Sequence, residues 1–256
     1  MKSAAPFASI QEMAVFCHQW LNETLMSLPE GRNFSVALSG GSTPAALFDA
    51  LVALEREKTA AGIPGLPWPV IHFFWGDERC VPPDDAESNF RMTREHLLGP
   101  LGIRDGQIHR ILGEREPVSE AERYAMHLNA VLPLVDGFPC FDLIVLGLGD
   151  DGHTASLFPG HEQLFDTDQC CQAVLHPVTG QARVTLTGSL INRASTVVFL
   201  VTGARKADMV KTIKQQASLY ERLGTLTAPL LPAALVAPVS GRVCWLLDEA
   251  AAGLHP

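Results

Sequence analysis

The sequence predicts an α/β fold: a single three-layer α/β/α domain with a mostly parallel sheet, Rossmann-like in topology. Two observations carry this. The short runs Phe34–Leu38, Val70–Trp75, Phe141–Leu146 and Val197–Val201 are apolar on both faces, as strands covered on both sides must be. The longer segments between them repeat their apolar residues at helical period, so strands and helices alternate. No internal repeat, low-complexity tract or composition break divides residues 1–256, and one domain is expected.

Taken in order, Ser9 and Glu12 have capping-box spacing and open a first helix, whose inner face is Ile10, Met13, Cys17, Leu21 and Leu28. Strand Phe34–Leu38 follows, then a helix opening at Pro44 with Leu47, Leu51 and Leu54 on one stripe, then strand Val70–Trp75, which completes a βαβ unit. Helices are expected over Ser88–Leu98 and Ser119–Val135. After strand Phe141–Leu146 come strands at Val184–Leu186 and Val197–Val201, a helix Lys206–Ala217 and a last strand Val243–Leu247. Pro229 and Pro232 break the apolar stretch Leu226–Ala237 into a loop and a short buried helix.

Hydrophobic residues make up 47% of the chain and charged residues 18%, enough for a large core and too few charges for a long solvated tail. Nineteen basic against 28 acidic residues leave a net charge of −9. No global positive field draws in nucleic acid or anionic lipid, so any bound anion must meet a local cluster. Residues 1–11 lack the apolar core of a signal peptide, and no run nears the roughly 18 apolar residues of a membrane span. Six cysteines without a Cys-x-x-Cys pair are too sparse for a disulfide scaffold, and a reduced, cytoplasmic protein is expected. Oligomeric state is not legible.

In such sheets ligands gather at the carboxyl ends of strands, so the loops after Leu38, Trp75, Leu146 and Val201 should share one cleft. The first, Ser39-Gly40-Gly41-Ser42-Thr43-Pro44, joins a strand to a helix start. Its glycines admit close approach to the backbone, and the free N–H groups and hydroxyls of Ser42 and Thr43 suit phosphate. It lacks the Gly-Lys-Ser/Thr ending of a nucleotide loop, and Pro44 spoils a Gly-x-Ser-x-Gly nucleophile elbow. A tight turn whose hydroxyls merely cap the helix is the plainer alternative.

The second loop, Gly76-Asp77-Glu78-Arg79, runs on to Ser88-Asn89. Asp77, Ser88 and Asn89 could bind a polyhydroxy ligand, with Arg79 forking onto an anionic oxygen; a solvated, salt-bridged loop is the alternative. In the third, Gly147 to Gly152 spells Gly-x-Gly-x-x-Gly, but Pro159-Gly160 leaves no room for the helix that a dinucleotide crossover needs. The glycines instead present His153 beside Asp151, an imidazole able to take a proton from water. A histidine merely packed into the turn competes with this reading. Asp150, Asp151, His153 and His161 lack a familiar metal-ligand spacing, and no metal or cofactor is expected. After the fourth strand, Gly203-Ala204-Arg205-Lys206 places Lys206 at a helix start, where the dipole disfavours a cation unless an anion binds. Arg183 is a further candidate charge.

Together, Ser39–Pro44, Gly76-Asp77-Glu78-Arg79 with Ser88-Asn89, Gly149-x-Asp151-Gly152-His153-Thr154-Ala155-Ser156-Leu157-Phe158-Pro159, Arg183-Val184-Thr185-Leu186-Thr187 and Gly203-x-x-Lys206 resemble the glucosamine-6-phosphate isomerase/6-phosphogluconolactonase family, on its lactonase side. The resemblance covers nearly the whole chain, and its most specific part is the run from His153 to Pro159. It implies a sugar-phosphate isomerase-like fold and metal-independent hydrolysis of 6-phosphoglucono-δ-lactone in the pentose phosphate pathway. The related glucosamine-6-phosphate deaminases continue a similar loop toward Asn-Glu-Pro and carry Asp-Glu-Tyr. Here Phe158 replaces the acid and Arg79 the tyrosine, which disfavours that alternative. The segment Thr179–Ala182 departs from the proline-rich stretch of the lactonases.

On this reading Gly40, Gly41, Ser42, Thr43, Arg79 and Lys206 hold the phosphate, with Arg183 as a further charge. His153 is the base and Asp151 its orienting partner. A non-catalytic sugar-phosphate sensor is the rival from another class. Such regulators commonly carry a helix-turn-helix ahead of the domain, whereas about thirty residues precede the first strand here.

Overall fold

The structure is a computed structural model that describes residues 5–223 and 230–254. Helix α1 (Ile10–Met26) begins where the spacing of Ser9 and Glu12 indicates. Ser9 Oγ accepts the Glu12 N–H at 3.2 Å, while the Glu12 carboxylate reaches back to the Ala8 N–H at 3.0 Å. Strand β1 (Phe34–Leu38) leads into α2 (Ser42–Ala60), and β2 (Ile71–Trp75) runs through Gly76 into a short strand β3 (Asp77–Arg79). Helix α3 (Asn89–Thr93) continues as a π-turn over Arg94–Leu98, followed by the two-residue strand β4 (Ile108–His109).

Helix α4 (Pro117–Val131) starts on Glu116, whose carboxylate accepts the Val118 and Ser119 N–H groups. It ends four residues before the expected Val135. Leu132 is extended, as the residue before Pro133 prefers to be, and a hairpin of β5 (Leu134–Val135) and β6 (Phe138–Pro139) takes over. Then come β7 (Leu143–Leu146), β8 (Cys171–Leu175), β9 (Ala182–Leu186), α5 (Gly188–Ile191), β10 (Thr196–Val201), α6 (Ala207–Leu223) and β11 (Arg242–Leu247). Residues 232–235 form the expected short buried 3-10 turn, while residues 226–229 of that stretch lie outside the described residues.

Six strands form one parallel sheet in the order β11-β10-β7-β1-β2-β4. Alternate residues serve opposite faces. Phe34, Val36, Leu38, Phe73 and Leu200 pack with Cys17 of α1 and Leu47 and Leu51 of α2 around a small apolar cavity. On the other face, Lys214 of α6 lies over the Trp245 ring, and His127 of α4 hydrogen-bonds His109 at 2.9 Å. The result is three layers. From the centre the chain winds one way through β1, β2 and β4 and the other way through β7, β10 and β11. The direction therefore switches between β1 and β7, where α/β sheets open a crevice beyond their strand ends.

One strand departs from expectation. The segment around Val184–Leu186 does not join the parallel sheet. It belongs to a separate antiparallel sheet, β3-β9-β8, in which Asp77 pairs with Thr185 and Arg79 with Arg183. The expected loop Asp77–Arg79 is thus strand. No helix among the described residues is long and apolar enough to cross a membrane.

Candidate active site

The turns after β1, β2, β7 and β10 converge on one cleft of about 250 Å³. Its walls include Gly40, Gly41, Ser42, Thr43, Asp77, Arg79, Asn89, His153, Arg183 and Lys206. Helix α2 begins at Ser42, two residues earlier than the position of Pro44 indicates, with Gly41 as an N-cap that makes no side-chain hydrogen bond and has φ +112°. The first-turn N–H groups therefore open toward the cleft beside the Ser42 and Thr43 side chains, a ready anion seat. Gly40 is required by close approach: a Cβ there would stand 1.8 Å from Asn89 Oδ1.

Asn89 in turn donates from Nδ2 to the Asp77 carbonyl at 2.9 Å and to Asp77 Oδ1 at 3.2 Å. Asp77 Oδ2 accepts from Ser156 Oγ at 2.6 Å. Beneath them, the buried carboxylate of Glu78 accepts the N–H groups of Arg79, Asn89 and Phe90 and the Ser88 hydroxyl, at 2.7 to 3.1 Å. Burial pushes the Glu78 carboxyl up, against the downward pull of those backbone donors. Glu78 thereby fixes the position of this polar loop.

Ser88 needs a correction. It is buried, caps α3 by accepting the Arg91 N–H at 3.1 Å, and donates to Glu78, so it does not face the cleft. Its hydroxyl is used up in holding the helix start, the ordinary occupation of a serine at that position.

The antiparallel register sets Arg79 and Arg183 side by side. Like charges opposite one another on two strands repel unless an anion lies between them. Arg79 donates to the Glu87 carbonyl at 2.6 Å, and Arg183 donates to Ser156 Oγ at 3.3 Å with Asp77 at 4.0 Å. Each keeps a buried Nε–H without a protein acceptor. Such donors call for a ligand or a water as acceptor. Burial also pushes the Arg183 guanidinium below its ordinary value.

The turn after β7 presents His153. Gly149 N–H donates to the His153 carbonyl at 2.9 Å, and His153 Nδ1 meets Asp151 Oδ1 at 2.5 Å. Partial burial pushes the Asp151 carboxyl up, but the His153 N–H and ring outweigh it and hold the carboxyl below its usual range. The imidazole lies 4.9 Å, centroid to centroid, from the fully buried Phe158 ring. His176 packs on Phe158 at 4.9 Å, His161 at 5.8 Å, and the Arg183 guanidinium lies 5.7 Å from the ring centroid, so one phenyl ring carries four polar groups. No dinucleotide-type helix follows Gly152. Thr154 and Leu157 close a tight turn with Ala155 at φ +48°, beside the cleft.

The adjacent Asp150 faces away from this pair and hydrogen-bonds Lys206 Nζ. Among the described residues no group of three or more His, Cys, Asp or Glu side chains is placed to hold a metal ion. Sequence reasoning missed Ser156, Phe158 and Thr202 as parts of the site. Thr202 lines the cleft and shares a 2.7 Å hydrogen bond with Thr43. Its place directly after an apolar strand was the available signal; Ser156 and Phe158 lay inside the segment already singled out, with no local sign of their partners.

The family model for glucosamine-6-phosphate isomerases/6-phosphogluconolactonase matches residues 8–245. A 6-phosphogluconolactonase of Treponema pallidum is 44% identical over 194 residues, 76% of this chain and 78% of that protein. The structure of a 6-phosphogluconolactonase from Trypanosoma brucei superposes with a TM-score of 0.76 at 30% identity, covering 99% of this chain and 98% of the other. A monomeric glucosamine-6-phosphate deaminase superposes as well, with a TM-score of 0.77 at 18% identity over the full length of both, a likeness of fold alone. With nearly its whole length matched, the chain belongs to the glucosamine-6-phosphate isomerase/6-phosphogluconolactonase family.

Proposed function

We propose that the chain hydrolyses 6-phospho-D-glucono-1,5-lactone to 6-phospho-D-gluconate, in the oxidative pentose phosphate pathway and in the cytoplasm. The observation that carries this is the shared cleft: an imidazole held by a carboxylate, together with a helix N-terminus and three cationic side chains. The first arrangement activates water. The second grips a phosphate.

Asp151 accepts the Nδ1 proton of His153, which leaves the Nε2 lone pair free. Nε2 takes a proton from water as its oxygen attacks the lactone carbonyl carbon, giving a tetrahedral oxyanion and an imidazolium. When the oxyanion collapses, the bond to the ring oxygen breaks and the imidazolium returns its proton to that oxygen. The new carboxylic acid then ionises into water. Backbone N–H groups of the turn after β7, other than those of Gly149, Gly152 and His153, which already donate within the turn, are the donors assigned to the oxyanion.

The phosphate does not react. Held by Ser42, Thr43, the Gly40 and Gly41 backbone, Lys206, Arg79 and Arg183, it converts remote binding energy into placement of the carbonyl carbon. Asp77 and Asn89 face the sugar hydroxyls. Every step uses groups of this chain.

The test is proton release from fresh lactone by the purified protein at constant pH, with spontaneous opening subtracted. His153→Ala should lower turnover about 10²–10⁴-fold with the fold retained. Near-normal turnover in that variant overturns the mechanism. Ammonia release from glucosamine 6-phosphate would move the chain to the deaminase branch of the family.

A further inference from the structure

Two neighbouring aspartates leave the turn after β7 in different directions. Asp151 serves His153, and Asp150 hydrogen-bonds Lys206 Nζ through Oδ1. Lys206 lines the cleft and Asp150 does not. The Asp150 side chain is 82% exposed and that of Lys206 25%, so the carboxylate takes the ammonium from the solvent side. Lys206 in return holds the Asp150 carboxyl below its usual range.

The other cations of the cleft are matched differently. Arg79 donates to an uncharged carbonyl, that of Glu87. Arg183 has Asp77 as its carboxylate neighbour, and Asp77 is buried, fixed by Ser156 and Asn89. Asp77 cannot leave without stripping buried hydrogen bonds. Asp150 can swing into water at little cost.

We propose that Asp150 is a built-in competitor for the anion site: it occupies Lys206 while the cleft is empty and must be outbid by the phosphate of an incoming ligand. The proposal rests on the reading of Lys206 as a phosphate anchor. Phosphate offers more charge and more acceptor oxygens than a carboxylate, so it wins the exchange, but with a reduced net affinity. The reduction applies to substrate and product alike. The product carries a second anionic group, its new carboxylate, and would otherwise linger in a cleft with three cations. Return of Asp150 to Lys206 favours its departure.

Asp150 is therefore a positioning residue acting through Lys206, and its test separates binding from turnover. Asp150→Asn keeps the shape and removes the charge. An exposed pair of this kind is worth about a two- to fivefold change in affinity. In Asp150→Asn, KM for the phosphorylated lactone and the inhibition constant of 6-phosphogluconate should each fall about two- to fivefold, while KM for the unphosphorylated δ-lactone does not follow. Asp150→Glu, which restores the carboxylate, should return both toward the parent values. In a Lys206→Ala background the effect of Asp150→Asn should vanish.

A rise in KM for the phosphorylated lactone, or no change, overturns the proposal, because Asp150 would then be steadying Lys206 for the ligand. An effect that persists without Lys206 overturns it too. Calorimetric titration of the parent and Asp150→Asn proteins with inorganic phosphate keeps the two readings apart. Absence of lactone turnover in the parent would remove the proposed function, whereas equal phosphate affinities in the two proteins would remove the competitor.

Discussion

Gly149 and His153 hold each other at both ends of one turn. The glycine N–H donates to the histidine carbonyl at 2.9 Å, and the imidazole folds back until Nδ1 lies 2.1 Å from the point where a Cβ of residue 149 would stand. The bare backbone of Gly149 is what lets the ring reach Asp151. In Gly149→Ala the methyl group evicts the imidazole, and kcat should fall at least about tenfold, toward the loss expected from removing a general base. Because Gly149 has no left-handed φ, the melting temperature should change little. Rates and melting curves on one preparation check both; unchanged kcat would show that the ring works from another position.

Lys206, Arg79 and Arg183 are assigned to a group of the substrate that does not react. Lys206→Ala should therefore raise KM for the phosphorylated lactone far more than for its unphosphorylated counterpart. Equal losses on both would mean that Lys206 does not touch phosphate. The comparison needs only the two lactones and a common blank for spontaneous opening.

Ser88→Ala separates a capping residue from a ligand-binding one. Losing the α3 cap and a donor to buried Glu78 should cost about 0.5–2 kcal/mol of stability, with KM unchanged for folded protein. Urea titration paired with KM measurement decides it. A raised KM at unchanged stability would return Ser88 to the cleft.

His72, His109 and His127 form a hydrogen-bonded chain, with N···N distances of 2.8 and 2.9 Å, that ties the edge strand β4 to β2 and α4. Burial first, then the neighbouring His127 and His72, pushes His109 down to about 4. Its unfolded value is near 6.5. Between those values the unfolded chain binds the extra proton, so this contribution to stability is full above about pH 6.5 and is lost as pH falls toward 4. Urea midpoints measured across that window should fall with acidification. In His109→Phe, which keeps a ring against Phe74, the slope should flatten.

The main sheet was legible because its strands are buried on both sides and so appear as unbroken apolar runs bounded by turns. The cleft was legible for a related reason. In a parallel sheet every strand end points to the same edge, so polar residues directly after Leu38, Trp75, Leu146 and Val201 had to meet. What stayed hidden was pairing between segments distant in the chain. Strand β3 is three charged residues with no hydrophobic period, and only its register with β9 shows that Arg79 and Arg183 are neighbours. Ser156 likewise finds Asp77 across a separation of 79 residues. Ser88 was misread because a serine that caps a helix beside a binding loop has the same local sequence as one that contacts the ligand. Asp151 was already placed beside His153, but nothing local showed that its neighbour Asp150 belongs to Lys206.

The interlock of Gly40 with Asn89 has a consequence for how such a cleft can change. The amide oxygen of one turn fills the volume that any larger residue in the other would need, so Gly40 cannot be enlarged while Asn89 keeps its place. Transplanting the Ser39–Pro44 turn alone into a relative with a different residue at 89 would leave a void or a collision. A graft carrying both turns would preserve the fit, which makes the two together the smallest unit that evolution or a designer could exchange intact.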